Sequence, residues 1–260
     1  MPPTSIDGTD ISGATIDGTE VTEITMDGDV VFSGATSPDT NSLAQFDARQ
    51  LNLSNGDTVT SWPSTDGTLV ADSVGSGGDG TYDSTLLAGE PAVSFPDGEV
   101  EYAETNFSHS TPFTTIMVTK FELNDNTNSE TAISGGDSTN GFLNYVMGDD
   151  IGSGATWRSY NGSDPANEVR RWTPDNNIEI VGTYWNGSSS ETVSATDGNT
   201  ASVTGQDTGS QDISRIGIGG NYNYYTGGVG YLEIIDGTPS NGLRTRVENV
   251  GSDWGMSFTF

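Results

Sequence analysis

The sequence predicts an all-β protein: a two-sheet antiparallel jelly-roll sandwich with one short C-terminal helix, preceded by a small N-terminal module of β-hairpin repeats. Short runs of alternating apolar residues recur along the chain, Gly, Asn and Asp turn formers separate them, and only one stretch has helical periodicity. The chain has 260 residues, of which 32% are hydrophobic. Its 5 Trp, 9 Tyr and 9 Phe are spread through short alternating runs, which argues against a disordered chain.

The first thirty-odd residues contain an internal repeat with a period of ten. Residues 5–11, 15–21 and 25–31 each place Asp-Gly between β-favouring residues, which is a strong hairpin signal because glycine accepts positive φ. Three small hairpins cannot bury a core unaided. We therefore interpret residues 1–36 as an anchoring or oligomerisation module, 37–41 as a linker and 42–260 as the sandwich domain.

The clearest strand signal is the stretch 112–123, which is rich in β-branched and aromatic residues and carries apolar groups on both faces. We expect it in the middle of a sheet that is covered on both sides, with the only lysine, Lys120, near its far end. The stretch 178–185 is the second strongest strand. Residues 99–102 are interpreted as the hairpin partner of 91–95, and 64–85 as a loop-rich region. Further strands are predicted at 43–49, 57–63, 132–134, 141–146, 156–160, 168–172, 191–195, 201–204, 215–219 and 228–235.

One helix is credible, near the C-terminus. Leu243, Val247 and Val250 follow the spacing of a helical face. Pro239 can occupy the first turn, and Gly251 is expected to end the helix, with Trp254 packed beneath it. The predicted helix is therefore short and amphipathic.

The net charge of −29, from 37 acidic and 8 basic residues, restricts the classes of partner. A nucleic-acid binder needs a basic surface, so the composition argues against that role. Acidic excess with a single lysine resembles proteins of extreme halophiles, and an ordinary acidic secreted protein is the alternative. The absence of cysteine excludes disulfides. No apolar run is long enough to span a membrane, and the N-terminus lacks the pattern of a secretory signal.

From Phe46 to Met256 the chain resembles the concanavalin A-like lectin and glucanase superfamily in its laminin-G-like form. The resemblance is carried by residues 46–49, 57–62, 91–95, 112–121, 217–220, 228–235, the closing helix and 254–256. It implies a jelly-roll fold and is compatible with a lectin-like role. None of these stretches is a catalytic motif.

Residues 11–33 resemble N-terminal segments of virion proteins from tailed haloarchaeal viruses. This resemblance implies a non-enzymatic structural protein, made in the host cytoplasm and displayed on the virion surface as a tail fibre or capsid decoration. Residues 1–36 would then bind other virion proteins and form a homo-oligomer, and the lectin-like domain would attach to a host-surface glycan or glycoprotein. The alternative is an extracellular, cell-surface adhesion module of a haloarchaeon.

A glycan hydrolase is a second alternative. Glucanases of the superfamily carry Glu-x-Asp-x-x-Glu, in which the outer carboxylates act as nucleophile and general acid. In this chain Glu99, Glu101 and Glu104 occupy that spacing, with Glu101 in the place of the central Asp. In a regular strand Glu99 and Glu104 would lie on opposite faces, so an acidic hairpin edge explains the pattern without catalysis.

Aromatic residues are the most suggestive signal for binding, because sugar rings stack on aromatic faces. Core packing explains three tyrosines in one Gly-flanked loop poorly, whereas Trp157 and Trp185 are expected in the core. His109, the only histidine, is interpreted as a solvated loop residue. Calcium is the most plausible metal, since carboxylates are hard oxygen ligands. The candidate ligand-binding residues are Tyr222, Tyr224, Tyr225 and Trp172, and the candidate calcium ligands are Asp149, Asp150, Asp137 and Asp207.

Overall fold

The computed structural model describes the backbone of residues 5–6, 9–10, 14–16, 19–21, 23–26, 29–33, 38–74, 80–95, 102–121, 129–134, 142–148, 155–161, 164–170, 178–187, 189–196, 199–206, 212–220, 223–224 and 227–260. Side chains are described for residues 38–72, 80–95, 109–120, 178–187, 189–196, 200, 202, 204 and 227–260. Two compact units are present, residues 1–38 and 39–260.

The described chain is mostly β-strand, as predicted. Its strands are β1 (Ser5–Ile6), β2 (Thr9–Asp10), β3 (Ala14–Ile16), β4 (Thr19–Val21), β5 (Glu23–Met26), β6 (Asp29–Ser33), β7 (Ser42–Asp47), β8 (Thr58–Val59), β9 (Ser61–Pro63), β10 (Val70–Val74), β11 (Gly80–Leu87), β12 (Glu90–Phe95), β13 (Tyr102–Ser110), β14 (Phe113–Phe121), β15 (Ser129–Ser134), β16 (Phe142–Gly148), β17 (Ala155–Asn161), β18 (Asp164–Arg170), β19 (Ile178–Trp185), β20 (Ser189–Thr196), β21 (Asn199–Gln206), β22 (Asp212–Gly220), β23 (Asn223–Tyr224) and β24 (Gly227–Asp236). A 3-10 turn spans Ala48–Gln50, and helix α1 spans Leu243–Asp253.

The N-terminal unit consists of separate two-stranded sheets. Strand β1 pairs with β2, β3 with β4 and β5 with β6, all antiparallel. Each pair flanks one Asp-Gly of the ten-residue repeat, so the predicted hairpin repeat is confirmed. The role of residues 1–36 and the boundaries of the linker remain predictions.

The second unit contains two nine-stranded antiparallel sheets among its described residues. Sheet A has the order β18-β17-β16-β15-β22-β13-β10-β9, with β23 beside β22. Sheet B has the order β21-β20-β19-β14-β24-β12-β11-β8, with β7 also pairing with β24. The antiparallel sandwich with one C-terminal helix confirms the predicted fold class.

Strand β14 lies in the middle of sheet B, as its composition predicts. It pairs with β19 on one side and β24 on the other, and every residue from Phe113 to Thr119 is buried. Phe113 and Met117 belong to the core between the sheets, which also includes Trp62 and Ala71 of sheet A. Ile116 and Val118 belong to a second core beneath α1. A central strand covered on both faces needs apolar groups at odd and even positions alike, because successive side chains point to opposite faces.

Helix α1 covers the outer face of sheet B, but its ends differ from the prediction. Pro239 precedes the helix and accepts a hydrogen bond from the N–H of Gly242, the N-cap residue. Gly251 lies inside the helix and is buried, and a Cβ there would come within 2.5 Å of the Phe258 ring. The expectation that Gly251 ends the helix is therefore wrong. The glycine leaves room for the returning C-terminal segment, and the positive φ that follows the helix belongs to Gly255.

Two local predictions fail because long-range pairing takes precedence over neighbouring sequence. Residues 99–102 were expected to return beside 91–95, but β12 pairs with β11 and β24. Strand β13, which begins at Tyr102, instead pairs with β10 and β22 in the other sheet. The loop-rich region 64–85 contains β10 and most of β11.

The sandwich begins at Asp39, whose backbone N–H and both carboxylate oxygens form hydrogen bonds. Its N–H donates to Glu233 Oε1 at 2.8 Å, and its Oδ2 accepts from the Ser240 N–H and hydroxyl. Burial alone would raise the pKa of the Asp39 carboxyl, but the bonds from the Asn41 N–H and from Ser240, with the charge of Arg246, outweigh it and lower the pKa. Because the folded-state pKa is depressed, the resulting stabilisation is present above the pKa of the unfolded chain and is lost as the pH falls.

The close approach of α1 to sheet B at Gly182 gives a testable prediction. A Cβ there would lie 2.5 Å from Val247 Cγ2 and 3.0 Å from Leu243 Cδ1. We expect Gly182→Ala to lower the free energy of unfolding by about 1–3 kcal/mol through overpacking. Ser202→Ala, at an exposed position in the same row of paired residues, should change it by no more than about 0.5 kcal/mol. Equal denaturation midpoints for the two variants would show that the helix is not seated on this glycine.

Candidate functional site

Most residues that the sequence predicts for ligand or calcium binding lie outside the described residues. These are Tyr222, Tyr225, Trp172, Asp149, Asp150, Asp137 and Asp207. Tyr224 lies in β23, where its backbone is opposite Gly219 of β22. Their proposed roles remain predictions. Within the described residues, no group of three or more His, Asp or Glu is arranged to hold a metal ion.

Of the three glutamates in the hydrolase hypothesis, only Glu104 lies in the part of the backbone that the structure describes. Glu99 and Glu101 lie outside the described residues. Glu104 lies in β13, in register with Asp72 of β10 on one side and Arg215 of β22 on the other. It therefore occupies an interior strand of sheet A and not a hairpin edge. Its pairing with Glu99 as nucleophile and general acid remains a prediction.

The two predicted core tryptophans have different outcomes. Trp185 is fully buried, which confirms the prediction, and its ring centroid lies 5.0 Å from that of Phe113. Trp157 lies in β17 opposite Val146 and Val169, and its side chain is outside the described set. Trp185 is thus unavailable as a stacking face for a ligand.

A polar surface lies on the part of the outer face of sheet B that α1 leaves uncovered. Register places Thr114, Tyr184, Glu191 and Thr204 in one row across β14, β19, β20 and β21, with Ser202 two residues from Thr204. Helix α1 lies over β14, β19 and β20, and leaves Ser202 and Thr204 of β21 exposed. We call Tyr184, Glu191, Ser202, Thr204 and Arg244 the helix-side platform.

The guanidinium of Arg244 connects the elements of this platform. Its Nε lies 3.4 Å from Glu191 Oε1, and its Nη2 donates to Ser202 Oγ at 3.3 Å. The side chains of Arg244 and Glu191 are 53% and 35% exposed, so both contacts are open to solvent. Such long, hydrated bonds contribute little to stability, and their donors and acceptors remain accessible to a ligand.

Tyr184 supplies the aromatic group of the platform. It is half-buried and packs against the core beneath α1, which restricts its ring without covering it completely. The neighbouring Glu191 is its register partner on β20. A fixed, partly exposed ring beside a carboxylate, a guanidinium and two hydroxyls combines apolar and polar contacts at one surface.

A second polar group lies at the end of the sandwich where β13, β14 and β24 meet. His109 Nε2 lies 3.5 Å from Asp236 Oδ1, and the imidazole contacts the Phe113 ring edge to face, with centroids 6.2 Å apart. The expectation of a solvated loop histidine is wrong, because His109 lies in β13 opposite Ile213 and its side chain is 26% exposed. The pair connects a strand of sheet A with the end of β24 in sheet B.

Sequence reasoning overlooked the helix-side platform because its members are far apart in the chain. Tyr184 and Arg244 are brought together only by the packing of α1 on β19 and β20. One local signal was available: hydroxyl side chains at alternate positions of β21, Thr200, Ser202 and Thr204, indicate a solvent-facing polar row.

Comparison with known proteins supports the fold. No protein-family model and no curated protein matches the chain. Among solved structures, domain 4 of AbnA, a GH43 extracellular arabinanase from Geobacillus stearothermophilus in complex with arabinotriose, matches with TM-score 0.56 and 12% identity, over 83% of this chain and 98% of that one. A Trypanosoma rangeli sialidase matches with TM-score 0.51 and 14% identity, over 94% of this chain and 36% of that one. A GH54 arabinofuranosidase matches with TM-score 0.51 and 14% identity, over 82% of this chain and 62% of that one.

These matches correct one expectation from the sequence. The sequence predicts a protein that is not an enzyme, but the three matched structures named above are two glycosidases and a domain of a third. The β-sandwich that the strand pattern predicts is a scaffold present in carbohydrate-active enzymes, so it cannot serve as an argument against catalysis. The chain spans about a third of the sialidase and about three fifths of the arabinofuranosidase.

The same comparisons bear on the two resemblances noted in the sequence. A lectin-like sandwich agrees with the matched structures at the level of fold. The resemblance of residues 11–33 to haloarchaeal virion proteins finds no support among them. Within the described residues, no helix has the length and apolar character needed to cross a bilayer.

Proposed function

We propose that the sandwich domain, residues 39–260, binds carbohydrate. The observation that carries this proposal is the match over 98% of the length of an arabinanase domain solved with arabinotriose. That domain and this chain share a sandwich at 12% identity, so the proposal concerns the class of ligand and not the individual sugar.

The charge of the protein is consistent with a neutral ligand. At a net charge of −29, long-range attraction of polyanions is excluded, and the remaining sources of affinity are stacking, hydrogen bonds and bridging cations. Stacking and hydrogen bonds are the interactions that a sugar with many hydroxyls and apolar ring faces requires.

The biological setting that we propose is display on the surface of a halophilic archaeal virus. The sandwich would attach to a host-surface glycan or glycoprotein or decorate the particle, and residues 1–36 would bind other virion proteins and form a homo-oligomer. The resemblance of residues 11–33 supports this setting. Display on a cell surface is the alternative, and localisation of the protein by antibody labelling of particles and cells separates the two.

A second candidate function is glycan hydrolysis, with Glu99 and Glu104 as the acidic pair. The occurrence of the same sandwich in chains of glycosidases favours its consideration. Retaining hydrolysis needs two carboxyl groups about 5–5.5 Å apart. Hydrolysis of β-glucan that is lost in both Glu99→Gln and Glu104→Gln would establish it.

The test of the proposed function is a binding screen with the full chain. Arabinotriose, xylobiose, laminarin and sialyllactose would be titrated calorimetrically in about 1 M NaCl, where charge repulsion is screened. Release of reducing ends from the same sugars would be measured in parallel. Binding of at least one probe at millimolar or lower dissociation constant is expected, and binding of none would overturn the proposal.

Removal of the N-terminal unit tests whether residues 1–36 drive self-association while the sandwich folds without them. We expect a chain that lacks residues 1–36 to retain its sheet signal by circular dichroism, because residues 39–260 form a compact unit of their own. We expect it to lose self-association in light scattering, because the separate hairpins need a partner for their apolar residues. Aggregation or loss of sheet signal would instead make residues 1–36 part of the main fold.

A further inference from the structure

We propose that the helix-side platform is the carbohydrate contact surface, and that its ligand is a neutral sugar with two adjacent hydroxyls. This inference rests on the proposed function and specifies its site and ligand class. Its members come from β19, β20, β21 and the first turn of α1, so the sandwich and its helix are both required for the site.

The pair formed by Arg244 and Glu191 is suited to two neighbouring hydroxyls. The guanidinium donates through Nε and Nη2, while the carboxylate of Glu191 accepts. One sugar hydroxyl can accept from the guanidinium while the next donates to the carboxylate. The present contacts, at 3.4 and 3.3 Å, are at the long end of the range, so a ligand that replaces them loses little existing interaction energy.

Tyr184 and the β21 hydroxyls complete the contact on either side of that pair. The Tyr184 ring is held by the core beneath α1 and lies in the same row as Glu191. A restrained aromatic ring offers a stacking face with little loss of rotamer entropy on binding. Ser202 and Thr204, exposed on the edge of the row, can donate to or accept from further hydroxyls.

The charge distribution on the platform favours a neutral sugar over an acidic one. The positive charge of Arg244 is already balanced by Glu191 at 3.4 Å, and the protein as a whole carries −29. A uronate or sialic acid would have to compete with Glu191 for the guanidinium and approach against the net field. A neutral vicinal diol can contact both side chains without separating their charges.

The group at His109 and Asp236 is a weaker candidate for sugar stacking. Its aromatic neighbours Phe113 and Trp185 are fully buried, while the side chains of His109 and Asp236 are 26% and 62% exposed. A ligand there would find hydrogen-bonding groups but no exposed aromatic face. Asp236→Asn is therefore a suitable comparison variant at a second polar surface of the same domain.

The test uses the full chain, titrated with arabinotriose, xylobiose, laminarin and sialyllactose in about 1 M NaCl. We expect Tyr184→Ala and Arg244→Gln each to weaken binding of a neutral probe at least about tenfold, as truncation of contact hot spots does. Tyr184→Phe, which keeps the ring, should bind nearly as the parent does. Thr245→Ala on the exposed side of α1 and Asp236→Asn should leave the dissociation constant within about twofold.

The outcomes separate the site from the function. If the parent binds a neutral sugar and Tyr184→Ala and Arg244→Gln bind it equally well, the platform is not the contact surface, while the proposed function stands. If sialyllactose binds more tightly than every neutral probe, the ligand class is wrong. If the parent binds no probe, the proposed function fails and the site fails with it. Unfolding curves of each variant exclude loss of binding through loss of fold.

Discussion

Arg246→Met is expected to destabilise the sandwich by about 3–5 kcal/mol, because it leaves the carboxylate of Glu233 buried without its cation. Glu233 lies in β24 with its side chain wholly inaccessible, and Arg246 reaches it from α1 at 2.8 Å. Arg244, two residues earlier on the same helix, pairs with Glu191 in solvent. Arg244→Met should therefore cost no more than about 1 kcal/mol, which makes it the matched control.

The surroundings of Glu233 explain why the loss is not relieved by relaxation. Its Oε1 accepts from the Asp39 N–H at 2.8 Å, and Arg246 also contacts the Tyr231 hydroxyl, which accepts from Gln45. Burial, together with the charge of Glu233, raises the pKa of Tyr231 well above its ordinary value, so the hydroxyl stays protonated. The network joins the start of the sandwich to β7, β24 and α1, so Arg246→Met removes its contacts with Glu233 and Tyr231 together.

A second substitution separates the two contributions to the loss of stability, the unpaired charge of Glu233 and the lost contacts of Arg246. In Glu233→Gln/Arg246→Met the amide can still accept from the Asp39 N–H, and neither substituted side chain carries a charge. We expect this double variant to recover a substantial part of the stability lost in Arg246→Met, measured by urea denaturation with both single variants as a cycle. If Arg246→Met costs as little as Arg244→Met, the buried pair contributes nothing measurable to the fold.

The strands that the sequence predicted best are those whose environment is uniform along their length. Strand β14 is buried on both faces, and β19 pairs along its whole length with it, so their β-branched and aromatic residues reflect the final structure directly. The helical spacing of Leu243, Val247 and Val250 was equally informative, because all three pack into one core.

Predictions failed where a distant segment decides the structure. Besides its neighbour β11, strand β12 pairs with β24, more than 130 residues away, and no local pattern distinguishes β24 from the adjacent acidic stretch as a partner. Gly251 was interpreted as a helix stop, but the Phe258 ring needs the space that its missing side chain leaves. The polar neighbours of His109 indicate a loop, although β22, a strand distant in the sequence, pairs with it.

The candidate site was less predictable than the fold for the same reason. A sugar-binding surface assembled from Tyr184, Glu191 and Arg244 has no motif, since helix packing and strand register bring the residues together. The sequence does contain a clue to a different pair, outside that surface: Glu233 interrupts an otherwise apolar strand, which indicates a buried charge that requires a partner. Arg246, on the helix that follows, is that partner.

Salt is expected to change the stability of this protein more than that of an ordinary acidic domain. A net charge of −29 on 260 residues means that carboxylates repel one another over the whole surface. The Debye length is about 8 Å at 0.15 M ionic strength and about 3 Å at 1 M, so repulsion between neighbouring side chains is screened only at high salt. We expect the thermal midpoint to rise by about 10 °C or more between 50 mM and 1 M NaCl, which corresponds to about 3 kcal/mol for a domain of this size.

The shape of that dependence identifies its cause. Screening saturates once the Debye length falls below the spacing of surface charges, so most of the rise should occur below about 0.5 M NaCl. Sucrose, which stabilises by exclusion from the surface and does not screen charge, should raise the midpoint gradually and should not substitute for salt at 50 mM NaCl. Asp72→Asn, which removes one exposed carboxylate, should raise the midpoint at 50 mM NaCl and leave it nearly unchanged at 1 M. A midpoint that stays flat from 50 mM to 1 M NaCl would contradict the halophilic interpretation of the composition, because the acidic surface would then carry no net energetic cost for salt to relieve.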